Sequence, residues 1–189
     1  MIILVFKEVR QLKYVLLLRG INVGGKNKVS MSELKEQLLS IGFENVSSYI
    51  NSGNIIFDTT DGIDTVNQSI SKILNTYPFK INKVILSQSE YLEELENLPS
   101  WWFNDLYRKD VLFYTNEIDY SFMRARIEQM PLLDEAVHFG KNAVFWGKYN
   151  ENSYLKTSYH KYLIKESFYK SITIRNSRTF EKIADLLKK

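Results

Sequence analysis

Gly20, Gly24, Gly25, Lys26 and Asn27 form the segment whose spacing comes nearest to a known chemistry. A glycine, four residues, a glycine and a lysine directly after an apolar strand fit the first seven positions of a phosphate-binding loop, where backbone amides and the lysine cradle a polyphosphate. The eighth position departs from the pattern. Asn27 stands where a hydroxyl would hold magnesium, and helix-capping residues begin only at Ser30, too late for the helix amides to wrap a phosphate. The same loop also reads as a turn whose glycines permit positive φ and whose Lys26 is solvated. Arg19 and Arg175 offer a second route to anion chemistry. Each directly follows a short apolar strand, residues 15–18 and 172–174, and strand ends are where loops gather functional groups.

Other chemistry is thinner. His138 falls in a strand and His160 between Tyr159 and Lys161, and neither has metal-ligand spacing or a serine-and-acid partner set. Asp58, Asp61 and Asp64 could hold a divalent cation, but Asp61 and Asp64 are equally explained by capping and the dipole of a helix that starts there. No general base stands beside a nucleophile, so no catalytic constellation and no cofactor is read from these residues. The chain has no cysteine, which removes disulfides, thiolate metal sites and any reason to expect an oxidising compartment. The apolar run of residues 1–6 is too short for a signal peptide, and no stretch approaches a membrane span. A soluble cytoplasmic protein without a membrane partner is expected.

The elements that must position these groups follow from periodicity. Residues 14–18 are a buried strand stopped by glycines; Ser30 and Glu33 open a helix whose face is Met31, Leu34, Leu38 and Ile41, and Gly42 ends it. Residues 46–50 and 55–57 flank a hairpin turn at 51–54; Ile63, Val66, Ile70, Ile73 and Tyr77 stripe a second helix, and residues 83–86 are a fourth strand. The second half repeats the order less clearly: a strand at 111–114, a helix at 120–130, a hairpin across 140–142, a helix at 154–169, a strand at 172–174 and a closing helix at 178–187. The expected fold is therefore α/β (α+β), two ferredoxin-like βαββαβ halves with largely antiparallel sheets. The halves are placed at 1–88 and 111–189, with a connecting helix and linker at 89–110 and residues 1–12 as a dispensable extension.

Residues 16–27, Met31 with Leu34, Gly42-Phe43, residues 48–57, and residues 173–176 with Thr179 closely resemble the bacterial family called domain of unknown function 1697. The resemblance runs from about Lys13 to the end. It implies two related α/β halves in a cytoplasmic bacterial protein, and it implies no activity. Ser177 departs from the family's motif, which usually continues with tryptophan, and residues 1–12 precede the point where members usually begin.

The motifs that carry the resemblance contain the strongest constellation: Arg19, Asn22, Gly24, Gly25, Lys26, Asn51, Ser52, Asn54, Arg175, Asn176 and Thr179. Guanidinium forks, amides and exposed backbone are what a phosphate or carboxylate needs. The leading expectation is a small phosphorylated or carboxylated ligand, a nucleotide among the candidates, clamped between Arg19 and Arg175. The plainer reading pairs both arginines with acids of the middle segment, where residues 31–140 hold 17 Asp/Glu against eight Lys/Arg. A second expectation is nucleic-acid binding by the basic tail, in which Tyr154, Tyr159, Tyr162 and Tyr169 interleave with Lys156, Lys161, Lys165 and Lys170. A third is a protein-interaction surface anchored by Trp101 and Trp102, which would otherwise plug the joint between the halves.

Overall fold

The computed structural model of the protein describes residues 10–115 and 117–189. The first half runs β1 (Leu12–Leu18), α1 (Met31–Ser40), β2 (Glu44–Tyr49), β3 (Asn54–Thr59), α2 (Ile63–Leu74) and β4 (Lys83–Ser87), and is followed by α3 (Gln88–Glu96). The second runs β5 (Arg108–Tyr114), α4 (Tyr120–Glu128), β6 (Glu135–Phe139), β7 (Ala143–Lys148), a segment of short turns holding α5 (Ser158–Lys161), and β8 (Ile172–Asn176), and closes with α6 (Ser177–Leu187). The sheets have the orders β2-β3-β1-β4 and β6-β7-β5-β8, with every neighbouring pair antiparallel. This is a ferredoxin-like α/β fold repeated twice.

Side-chain alternation along the central strands sets the layers. Tyr14, Leu16 and Leu18 of β1 join Phe57, Leu34 and Ile70 in the core under α1 and α2, while Val15 and Leu17 turn to the opposite face. Val111 and Phe113 of β5 and Phe145 of β7 meet that second face, and Leu112, Val144 and Trp146 point outward under α4 and the turns that precede β8. A strand buried on both faces loses its polar alternation, which is why β1 reads as a continuous apolar run. α3 and α6 fill the space between the sheets: the Tyr91 and Phe180 rings lie 5.2 Å apart and the Tyr91 hydroxyl donates to the Phe180 carbonyl. The result is five layers, α1 and α2, a sheet, α3 and α6, a sheet, then α4 and the turns.

Four local expectations differ from the structure. Residues 154–169 are not one helix but 3-10 turns around the four-residue α5, because Thr157 and Glu166 leave helical geometry to seat Tyr159, Leu163 and Phe168 in the outer core. Leu12 is the first residue of β1, opposite Thr59, and packs against the core; the expectation for residues 1–9 lies outside the described residues. Ile41 is exposed beyond the end of α1. The N-cap of α2 is Gly62 with no side-chain cap, so Asp61 does not cap and only Asp64 complements the helix dipole. A reciprocal capping box does occur at Ser87 and Glu90, where it turns β4 directly into α3.

Candidate functional site

The Gly-rich loop folds on itself. Val23 and Lys26 bridge around Gly24 and Gly25, whose φ values of 57° and 73° make a tight turn open to glycine pairs. Asn22 holds the loop closed: its amide donates to the Val29 and Asn51 carbonyls at 3.0 and 2.9 Å and its oxygen accepts from the Val29 amide at 2.9 Å. Asn27, also at positive φ, donates to the Gly20 carbonyl. Val23, Gly24, Gly25, Lys26 and Asn51 are exposed. The adjoining hairpin requires Gly53, whose φ is 78° and where a Cβ would stand 2.6 Å from the Leu18 Cβ.

Arg175 crosses from the second half into this region and is only 6% exposed. Its Nε donates to Asn54 Oδ1, one terminal nitrogen to Thr173 Oγ1 and the Ile174 carbonyl, and the other to the carbonyls of Leu18, Ser52 and Gly53. Every guanidinium N–H thus points at a neutral oxygen of the protein. Burial pulls its pKa down to about 10, with Tyr91 opposing. Asn54 completes the knot by donating to the Tyr49 carbonyl and Ser52 Oγ, and Thr173 Oγ1 donates to the Leu18 carbonyl. Arg19 lies alongside, donating to the Ile172 carbonyl with its guanidinium 4.8 Å from the Tyr169 ring centroid. Asn176 caps α6 by accepting from the Thr179 amide at 2.9 Å, and Thr179 is buried. Sequence-distant motifs therefore do meet, but their polar groups join the two halves to each other. The middle-segment acids are not the partners of either arginine among the described residues.

A cleft of about 340 Å³ opens elsewhere between the halves. One wall is the polar face of α2, with Asp64, Asn67 and Ser71; the floor is β4 with Lys80 and Asn82 before it; Tyr114, Thr115, Glu117 and Asn142 form the far wall. Lys83 Nζ donates to Ser71 Oγ at 2.9 Å, and burial lowers its pKa while Glu117 opposes. Thr115 Oγ1 is buried without a hydrogen-bond partner among the described residues, and Tyr114 donates to the Lys141 carbonyl. Sequence reasoning missed these residues. None forms a motif, and Thr115 and Lys83 are brought together only by the packing of the halves.

Beside it, Glu94 of α3 is 2% exposed and accepts from both the backbone and the side-chain amide of Asn142, pinning the 140–142 turn. Burial raises its pKa against those hydrogen bonds. A second cleft of about 360 Å³ there is lined by Glu93, Glu94, Asn97 and His138. A buried ion pair was also missed: Lys148 Nζ sits 2.6 Å from Asp110, 3.5 Å from the Tyr159 ring centroid, and Asp110 binds Arg108 as well. Both strands extend beyond their apolar runs, so charges that looked like loop residues face the outer core.

The other expected interfaces are largely inward-facing. Tyr159 is buried, Tyr154 and Tyr169 are half-buried, and only Tyr162 of the four tail tyrosines is exposed with Lys156, Lys161, Lys165 and Lys170. Trp102 is buried between the sheets, donating to Glu181, and Trp101 packs beside it against Gly147. Asp58 accepts from Asn45, and no group of three or more potential metal-ligating side chains occurs among the described residues. No helix there is long and apolar enough to cross a membrane.

Residues 12–145 match the sequence profile of a family described as protein of unknown function, DUF1697. The chain belongs to the DUF1697 family. A solved structure similar to this DUF1697 protein is that of the conserved bacterial protein SP0830 from Streptococcus pneumoniae, at 50% identity and a TM-score of 0.90, covering 94% of this chain and 99% of that one. No curated protein matches.

Proposed function

We propose that this DUF1697 protein binds a small phosphorylated or carboxylated ligand in the cytoplasm, in the cleft between α2, β4 and the residues after β5. The observation that carries this reading is Lys83. Its ammonium is half-buried in one wall and gives one N–H to Ser71, while the wall from the other half presents the Thr115 hydroxyl, without a partner among the described residues, and the Asn142 side chain. A buried donor or acceptor left unmade is costly, so such groups gather where a ligand completes them. The volume is at the lower end of small-molecule sites, and the position between two packed halves is where such sites concentrate. The cysteine-free sequence supports a reducing compartment. The Arg175 knot supports the reading indirectly, by fixing the two walls relative to each other.

Calorimetric titration of the protein with inorganic phosphate, sugar phosphates, nucleotides and small carboxylates tests it. At least one is expected to bind, and Lys83→Met to weaken it at least tenfold. Absence of heat from the whole panel, or equal binding by Lys83→Met, contradicts the reading.

A further inference from the structure

The charges along the cleft are arranged by position. Lys80 and Lys83 mark one end, with Glu117 close enough to Lys83 to act on its charge. Asp64 marks the other end. Ser71, the residue Lys83 touches, is seven positions further along α2, which places it on the same helix face and about 10 Å down the axis at 1.5 Å per residue. Asp64 forms no ion pair among the described residues. The lysine end, offset by Glu117, keeps one net positive charge, which suits a monoanionic carboxylate better than a phosphate dianion. Asp64 complements the α2 dipole and is exposed, so its carboxylate stands open to a cationic group on a ligand.

Between those ends runs a sheet edge that no described strand covers. Among the described residues β4 is the last strand of its sheet and pairs with β1 alone. The Arg19 amide donates to the Asn82 carbonyl, so the antiparallel alternation turns the backbone of Val84 and Leu86 toward β1 and that of Lys83 and Ile85 away from it. Lys83 and Ile85 both line the cleft. Their outward N–H and C=O groups are a template for one more strand.

We infer that the cleft takes a short zwitterionic peptide of about three residues, extended along β4, an inference that rests on the ligand site proposed above. The peptide runs antiparallel to β4, with its C-terminal carboxylate at Lys80 and Lys83 and its ammonium at Asp64. Three extended residues span about 10 Å, the separation of the two charged ends. The free edge of β4 supplies main-chain hydrogen bonds that any sequence can make, so recognition is by length and terminal charge, with room only for small side chains.

Titration of the full chain with trialanine, N-acetyl-trialanine and trialanine amide, beside inorganic phosphate, glucose 6-phosphate and acetate, tests the inference. Trialanine is expected to bind, and each blocked form at least tenfold more weakly. In Asp64→Asn the acetylated and free peptides become equal; in Lys80→Met, whose exposed side chain can be removed without touching the fold, the free peptide's advantage over its amide shrinks. Lys83-dependent binding of glucose 6-phosphate or phosphate without trialanine binding overturns the peptide and leaves the anion site standing. Trialanine binding indifferent to N-acetylation overturns it too, and silence from every anion and peptide removes the site itself.

Discussion

A buried arginine without a carboxylate is stable only when neutral acceptors surround it, and Arg175 has six such contacts drawn from three chain segments. Removing the side chain orphans Asn54 Oδ1, leaves the Leu18 carbonyl with only the Thr173 hydroxyl, and leaves the Gly53 carbonyl with only the Leu18 amide. Arg175→Met is therefore expected to lower stability by about 2–4 kcal/mol. Arg175→Lys should recover less than half, since one ammonium cannot span the fork; denaturant unfolding at neutral pH measures both. Glu94 gives the pH-dependent counterpart. Burial holds its carboxyl above the ordinary range, so its contribution is fully present below the unfolded-state value and is lost as pH rises through the folded-state one. Glu94→Gln keeps an acceptor for Asn142 and cannot titrate. Its melting temperature should gain on the wild type between pH 4 and pH 7; a constant difference would contradict the assignment. The sequence marked Arg175 as special, through a motif after a strand, and grouped it with Asn54, but the carbonyls of Leu18, Ser52 and Gly53 are main-chain partners that no side-chain pattern records.

The elements show where pattern suffices and where it fails. β1, α1, the 50–53 turn and α6 are legible because each buries one stripe or one continuous run and carries its own cap or glycine. The 154–171 segment is not, since its tyrosines and lysines alternate at helical spacing while Thr157 and Glu166 break the helix to fit the outer core. Asp110 and Lys148 escaped for a related reason: a charged residue at the end of an apolar run looks like its boundary, and only the cross-strand register shows that the two meet. Replacing one partner leaves a buried charge and should cost about 3–5 kcal/mol. The double change Asp110→Leu with Lys148→Met should cost less than the sum of the singles by about 2–3 kcal/mol, measured by a double-mutant cycle. The hairpin at Gly53 makes a sharper demand. Gly53→Ala meets both a φ of 78° and the Leu18 Cβ at 2.6 Å, and should destabilise by roughly 2–4 kcal/mol in the same assay.

At the scale of the molecule, the two repeats share one core, because Val15, Leu17 and Leu86 of one sheet and Val111, Phe113 and Phe145 of the other are covered by the same pair of helices. That layer holds the cleft walls in register, and it explains why the sequence disclosed the repeats but not the cleft: Lys83, Thr115 and Asn142 are unremarkable until the sheets stack. The central claim is that a phosphorylated or carboxylated ligand sits there and not on the Gly-rich loop. Backbone amide chemical shifts, followed during titration with phosphate and then with trialanine, decide between the two places. Saturable shifts are expected at Lys83, Ile85, Thr115 and Asn142, with Gly24, Gly25 and Asn51 unmoved. Shifts confined to Gly24, Gly25, Lys26 and Asn51 would contradict the account.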